Sequence, residues 1–113
     1  MTLNAQRLTA EIAVAGQLEP ATMAEAAAAG FRSVVNNRPD FEGGPMQPTN
    51  ASIEAAAHAA GLAYAWLPVA PNVQTADEIA RFAALLESMP KPILAFCRTG
   101  TRSGKLVRAA LGA

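Results

Sequence analysis

The chain reads as a single α/β domain with a central, mostly parallel sheet flanked by helices. Three observations predict that class. The 113 residues fall near the commonest size for one compact domain with one core. Short apolar runs of strand type alternate four times with longer segments of helical type, the pattern of βα units around a parallel sheet. Glycines and prolines fall between these segments and mark where each one ends.

The first element is a short apolar strand, Ile12 to Ala15, after which Gly16 and Pro20 turn the chain. An alanine-rich helix is expected over residues 20–29. Pro20 suits its first turn, where an N–H would be unpaired anyway, and Gly30 suits its exit. Phe31 to Asn36, with Val34 and Val35, reads as a second strand. The segment from Asn37 to Pro48 holds three prolines and the adjacent Gly43 and Gly44, so it reads as a long loop. Thr49 or Asn50 caps a second helix to about Ala60, closed by Gly61. Leu62 to Leu67 is a third strand, ended by Pro68, Pro71 and Asn72. Thr75-Ala76-Asp77-Glu78 has the form of a capping box, and Ile79, Phe82, Ala83 and Leu86 then recur at helical spacing. Pro90 and Pro92 bracket the exit of that third helix. Ile93 to Phe96 is a buried strand, and a last helix runs from about Arg102 to Leu111. No internal repeat or low-complexity linker divides residues 1–113, so the whole chain is assigned to one domain.

Composition narrows the function classes. A hydrophobic fraction of 51% supports a core, although much of it is alanine, which buries little area per residue. Nine basic and nine acidic side chains give zero formal charge, so there is no broad field to hold nucleic acid or an anionic membrane, and any anion site must be local. The N-terminus lacks a long apolar run behind a basic start. The longest apolar candidate, residues 21–30, is interrupted by Glu25 and is too short to span a bilayer. A soluble, cytoplasmic protein is the expectation. With one cysteine, neither an internal disulfide nor a cysteine-clustered metal site can form, and no metal or cofactor is expected.

Cys97-Arg98-Thr99-Gly100-Thr101-Arg102 joins the last strand to the last helix. In open parallel sheets the ligand site lies beyond the carboxyl ends of the strands, and Cys97 stands there. Backbone N–H groups at a helix start converge on one concave space that favours an anion. Gly100 admits a backbone angle that other residues resist. Thr99, Thr101 and Ser103 offer hydroxyl donors, and Arg98 and Arg102 supply charge. These features should lower the Cys97 pKa below the free-cysteine value of about 8.5 and make it a nucleophile near neutral pH. The alternative is an inert strand-end thiol beside solvated arginines. The coincidence of strand end, cysteine, glycine, paired arginines and helix start favours the functional loop.

These six residues match the active loop of rhodanese sulfurtransferases, in which a cysteine carries a persulfide held by backbone amides and arginine. The order of the remaining chain, Gly30 to Asp40, then Tyr64 to Val69, then the cysteine loop, resembles dual-specificity phosphatases and their bacterial relatives. The chain resembles the phosphatase-like domain of the beta-lactamase hydrolase-like proteins. That resemblance implies a cysteine-phosphatase-like fold, a proposed role in sulfur transfer, and association with persulfide-oxidising domains.

Two departures from the phosphatase pattern favour sulfur chemistry. Tyrosine phosphatases place five residues between cysteine and arginine, whereas four intervene here before Arg102, and Ser103 takes the arginine's expected place. The segment Pro68-Val69-Ala70-Pro71-Asn72, where those phosphatases put an aspartate, contains none. Expelling an alkoxide without a positioned acid forfeits about 10²–10⁴-fold in rate, whereas sulfite or a thiolate leaves as an anion. The leading expectation is therefore a sulfurtransferase. It would form a persulfide on Cys97 from a small anionic sulfur donor, stabilise it with the amides of residues 98–102 and with Arg102, and pass sulfur to a thiol acceptor. The second is a cysteine phosphatase acting on phosphate esters through Cys97. The third is a non-catalytic anion-binding module.

Arg38 follows the second strand and can reach the same end of the sheet as a substrate-binding residue. Asp40 could replace the missing acid. The competing reading makes them a loop ion pair worth at most about 1 kcal/mol. His58 sits mid-helix and is expected at the surface or in helix packing. Tyr64 and Trp66 alternate on a strand as core or pocket wall. Asp77 suits a helix start, with no catalytic role.

Overall fold

The computed structural model describes residues 3–112; Met1 and Thr2, part of the segment read for a secretory signal, and Ala113 lie outside the described residues. Elements follow in the order β1 (Ala5–Arg7), β2 (Ile12–Ala15), α1 (Thr22–Ala28), β3 (Ser33–Asn36), α2 (Asn50–Ala59), β4 (Ala63–Trp66), α3 (Ala76–Ser88), β5 (Ile93–Phe96) and α4 (Thr101–Ala110). The strands form one sheet of order β1-β2-β5-β3-β4. β2, β5, β3 and β4 run parallel, and β1 adds an antiparallel edge. The α/β class and the mostly parallel sheet predicted above are therefore observed.

β5 is central and buried along its whole length, which explains its continuous apolar run: a parallel strand covered on both faces has no polar side to show. Its side chains alternate between two cores. Ile93 and Ala95 join Phe82, Leu86 and Leu106 beneath α3 and α4. Leu94 and Phe96 join Met23, Ile53 and Ala57 beneath α1 and α2. α3 starts as its sequence demands, with Thr75 Oγ1 accepting from the Glu78 N–H at 3.1 Å and Glu78 Oε1 accepting from the Thr75 N–H at 2.9 Å, a complete capping box.

Three details differ from the sequence reading. β1 carries no apolar alternation because its three residues are all exposed; only the antiparallel ladder to Ala13–Ala15 defines it. α1 begins at Thr22, two residues after Pro20. α4 begins at Thr101 with Gly100 as its cap. Among the described residues, no helix is long and apolar enough to cross a membrane.

Strand register places the site. Asn36 stands opposite Phe96, and Ala15 stands opposite it on the other side, so Cys97 emerges between the ends of β2 and β3. The Cys97 N–H donates to the Ala15 carbonyl at 3.3 Å and the Asn37 N–H to the Phe96 carbonyl at 2.9 Å. The loop that follows is thus held from both sides by backbone alone.

Candidate active site

Between β5 and α4 the chain must reverse within four residues. Gly100 makes this possible at φ 91, a left-handed angle that strains any residue with a β-carbon. The same glycine packs on the end of β2, where an added β-carbon would stand 3.4 Å from the Ala15 carbonyl carbon. The turn directs the Gly100 N–H onto Cys97 Sγ at 3.1 Å. Cys97 itself is only 1% exposed. Burial alone would raise its pKa, but hydrogen bonds from the Ser103 N–H and hydroxyl and from the Thr99 and Gly100 N–H groups outweigh burial and hold it below the ordinary value. The Ser103 hydroxyl has one proton, and in this structure it goes to Asn37 Oδ1 at 2.8 Å. The amides are therefore the firm contributors, and the hydroxyl joins them only by rotating onto the sulfur. Alkylation of Cys97 by a small electrophile should show a midpoint below about 8.5. A midpoint at or above that value removes the activated thiolate.

The second charged element is a cluster that spans the loop after β3. Arg102 donates from Nη1 to Glu42 Oε2 at 3.1 Å and to the Val69 carbonyl at 3.0 Å, and from Nη2 to Glu42 Oε1 at 3.0 Å. Arg38 donates from Nε to the same Oε1 at 2.9 Å and from Nη1 to Gln17 Oε1 at 3.0 Å. Arg38 and Arg102 are 8% and 6% exposed, so Glu42 is the counter-charge for two buried guanidiniums. Partial burial would raise the Glu42 pKa, but the hydrogen bonds from Arg102 and Arg38 prevail and lower it. The neighbouring Phe41 sits at φ 63, a left-handed angle that costs an aromatic residue about 1–2 kcal/mol, so the packing of the loop overrides the local preference. Arg102 Nε is buried and has no partner among the described residues. An unpaired buried donor of this kind costs about 1–3 kcal/mol.

Glu42→Gln should destabilise the fold by about 1–3 kcal/mol. This is less than the 3–5 of a fully buried pair, because the residue faces solvent. The sign with pH follows from the lowered carboxyl. Its contribution is complete above the ordinary carboxylate value and is lost as pH falls through the lower folded-state value. Urea unfolding of both proteins near neutral pH and in acid checks this: the difference should shrink in acid, and equal midpoints at neutral pH would count against the cluster.

Two adjoining cavities open at this end of the sheet. The smaller, about 150 Å³, has Cys97 in its wall together with Pro71, Arg98, Thr99, Thr101, Arg102 and Lys105. The larger, about 540 Å³, shares Pro71, Arg98 and Arg102 with it and adds Arg38, Glu42 and Gly43. A cavity of about 260 Å³ behind the loop is lined by Gly16, Gly100, Gly104 and Arg108 among others, and Cys97 takes no part in it. The small cavity is a cradle that sets the Cys97 thiol beside three cationic side chains, Arg98, Arg102 and Lys105.

The structure brings Cys97, Arg98, Thr99, Thr101 and Arg102 together around the cradle, as the motif predicts, with Gly100 as the donor to sulfur. Thr99 Oγ1 donates to Thr101 Oγ1 at 3.2 Å. The set of supporting amides reaches one residue further than expected, to Ser103, whose side chain is fully buried. Arg38 lies at the expected end of the sheet, but it lines the neighbouring cavity and is tied to Glu42 and Gln17. The ion pair with Asp40 does not form: Asp40 Oδ1 accepts from the Asn50 N–H, at the first residue of α2, at 2.7 Å, and Asp40 lines neither of the two cavities. His58 is exposed on α2. Tyr64 donates to Asn50 Oδ1 at 2.6 Å. Its pKa is raised to about 12, by burial first and with the charges of Glu54 and Asp40 adding to it, against the hydrogen bond from Asn36. Trp66 donates from Nε1 to the Arg38 carbonyl at 3.0 Å. Asp77 pairs with Arg81 on the surface of α3 at 2.9 Å.

Sequence reasoning missed Asn37, Glu42 and Lys105. Asn37 is fully buried and joins three elements, donating to the Leu67 carbonyl at 3.1 Å and accepting from Ser103. Glu42 has a partial local signal, four residues after Arg38, and Lys105 a better one, four residues after Thr101 on one helix face. Among the described residues, no three His, Cys, Asp or Glu side chains converge in a way that could hold a metal ion.

Against known proteins, residues 4–112 match the family model described as beta-lactamase hydrolase-like protein, phosphatase-like domain. A beta-lactamase hydrolase-like protein of Agrobacterium fabrum is 36% identical over 101 residues, which cover 89% of this chain and 23% of that relative. The chain thus corresponds to less than a quarter of the longer protein. Among solved structures, a candidate phosphatase from Neisseria meningitidis superposes with a TM-score of 0.85 at 31% identity, covering 96% of this chain and 78% of that one. TpbA of P. aeruginosa, solved in complex with pTyr, shares the fold at a TM-score of 0.69 and 17% identity, covering 96% and 70%.

Proposed function

The chain belongs to the phosphatase-like domain family of the beta-lactamase hydrolase-like proteins, and from that premise we propose that it is a cysteine-dependent phosphatase acting on phosphate monoesters. The observation that carries this reading is the cradle: Cys97, its pKa lowered by amides, beside a buried Arg102 whose Nε–H has no protein partner. Cys97 Sγ attacks phosphorus and forms a phosphocysteine. The loop amides and Arg102 meet the oxygens on which charge develops, where fixed donors are worth most. Arg98 lines both cavities and steers the ester in. Arg38 acts at one remove, by sharing Glu42 with Arg102. The family is described as a phosphatase-like domain and the Neisseria meningitidis structure as a candidate phosphatase, which supports this reading over the sulfurtransferase favoured on loop spacing.

Sulfur transfer keeps one specific observation in its favour: no carboxylic acid lines the cradle among the described residues. It would take a small sulfane donor and a thiol acceptor on the same Cys97. One experiment separates the two. Phosphate release from p-nitrophenyl phosphate and a phosphotyrosine peptide is measured beside intact mass of the acid-quenched protein, with thiosulfate in a parallel arm. Phosphate release with a phosphate adduct on Cys97 is expected. A persulfide adduct without phosphate release would replace the phosphatase reading with sulfur transfer.

A further inference from the structure

A phosphatase must hand its leaving group a proton, and the usual carboxylic acid is absent from this cradle. Glu42 cannot supply it: the carboxylate lines the neighbouring cavity and is held ionised by two arginines. Asp40 does not line the cradle, and its Oδ1 accepts from the Asn50 N–H at the start of α2. Of the groups that do line the cradle, threonine hydroxyls are too weakly acidic, and guanidiniums do not release protons in proteins. The remaining proton-bearing group is the ammonium of Lys105.

Lys105 lies on α4 one turn beyond Thr101, so both side chains rise from the same helix face. Its backbone is well held, because Arg102, Ser103, Gly104, Leu106 and Val107 around it are all buried. The side chain is exposed and lines the cradle with Cys97. It has no hydrogen bond or ion pair with another described residue, in contrast to Arg38 and Arg102. Three cations, Arg98, Arg102 and Lys105, therefore border a cradle lined by no carboxylate, which complements a dianionic ester attacked by a thiolate.

Building on the phosphatase reading, we infer that Lys105 meets the leaving atom and serves as its proton donor. Cys97 Sγ forms a bond to phosphorus as the bond from phosphorus to the ester oxygen breaks, and that oxygen keeps the electron pair. Lys105 Nζ gives it a proton, so the alcohol departs neutral and Lys105 is left as a free amine. An aliphatic ammonium is a stronger acid than an aliphatic alcohol, so the transfer runs downhill for poor leaving groups. In the second step a water molecule gives a proton to that amine and attacks phosphorus. The bond from sulfur to phosphorus breaks, inorganic phosphate leaves, and both the thiolate and the ammonium are restored.

The test is the dependence of kcat/KM on leaving-group acidity across aryl phosphates from dinitrophenyl to phenyl, for wild type, Lys105→Ala and Lys105→Arg. The alanine variant should lose about threefold with the most acidic phenol and about 10²-fold with phenol itself, giving a steeper slope. The arginine variant, which keeps charge but not a transferable proton, should share that steeper slope. Parallel lines for wild type and alanine, or a wild-type slope for arginine, would overturn proton donation by Lys105 while leaving the phosphatase reading intact. A wild-type protein that hydrolyses none of the esters overturns both.

Discussion

Cys97→Ser is expected to abolish turnover, on the order of 10⁴-fold or more, without disturbing the fold. The hydroxyl fits where the thiol fits, because the site is defined by backbone: the Gly100 N–H that reaches sulfur at 3.1 Å can reach oxygen instead. Chemistry alone separates the two. The amides of Thr99, Gly100 and Ser103 hold a thiol below its ordinary pKa, whereas an alcohol starts so far above neutrality that the same donors leave it protonated. Phosphate release is read beside urea unfolding, whose free energy should change by less than about 1 kcal/mol. Residual activity near wild type with an unchanged midpoint would put the nucleophile elsewhere.

Arg102→Lys should lower kcat/KM by about 10²–10³-fold, the usual effect of removing one preorganised donor to a developing oxyanion. Lysine keeps the charge but not the geometry. Arg102 spends Nη1 and Nη2 on Glu42 and the Val69 carbonyl, its buried Nε–H has no partner among the described residues, and the side chain lines the cradle. A lysine has one nitrogen for all of these partners. If the ammonium goes to Glu42, the cradle loses its donor; if it turns to the substrate, Glu42 loses half of its pairing. Binding of inorganic phosphate, followed by calorimetry in both proteins, supplies a readout independent of turnover and should weaken in parallel. Wild-type kinetics in the lysine variant would reduce Arg102 to a source of general positive potential.

What could be read in advance follows the range of each interaction along the chain. The capping box at Thr75, the periodic face from Ile79 to Leu86 and the apolar run of β5 are local patterns, and each became the element it predicts. The cysteine loop was equally legible, because strand end, glycine and helix start are contiguous. β1 was invisible, since three exposed residues carry no periodicity and their partner strand is fixed only by folding. The Glu42 to Arg102 pair joins residues 60 apart; nothing near either one announces the other. Arg38 reaches the expected end of the sheet, and its contact with Glu42 four residues on is short in range; what no local pattern shows is that the same carboxylate also holds Arg102. Lys105 stands at helical spacing from Thr101, four residues on, which places it on the loop's side of the last helix. The relatives then weighed for phosphate chemistry, a choice that four residues between Cys97 and Arg102 could not make alone.

The end of β2 gives the loop a second line of inheritance. A β-carbon at Gly16 would stand 3.1 Å from the Arg98 carbonyl oxygen, and the adjacent Gln17 N–H donates to that same carbonyl at 3.2 Å. Alanine at position 16 therefore pushes on the cradle through its backbone while leaving every reacting atom in place. In a genetic screen, alleles of Gly16 should appear among those with partial loss of activity although the residue touches no substrate. A lineage that has given up turnover is free to change there first.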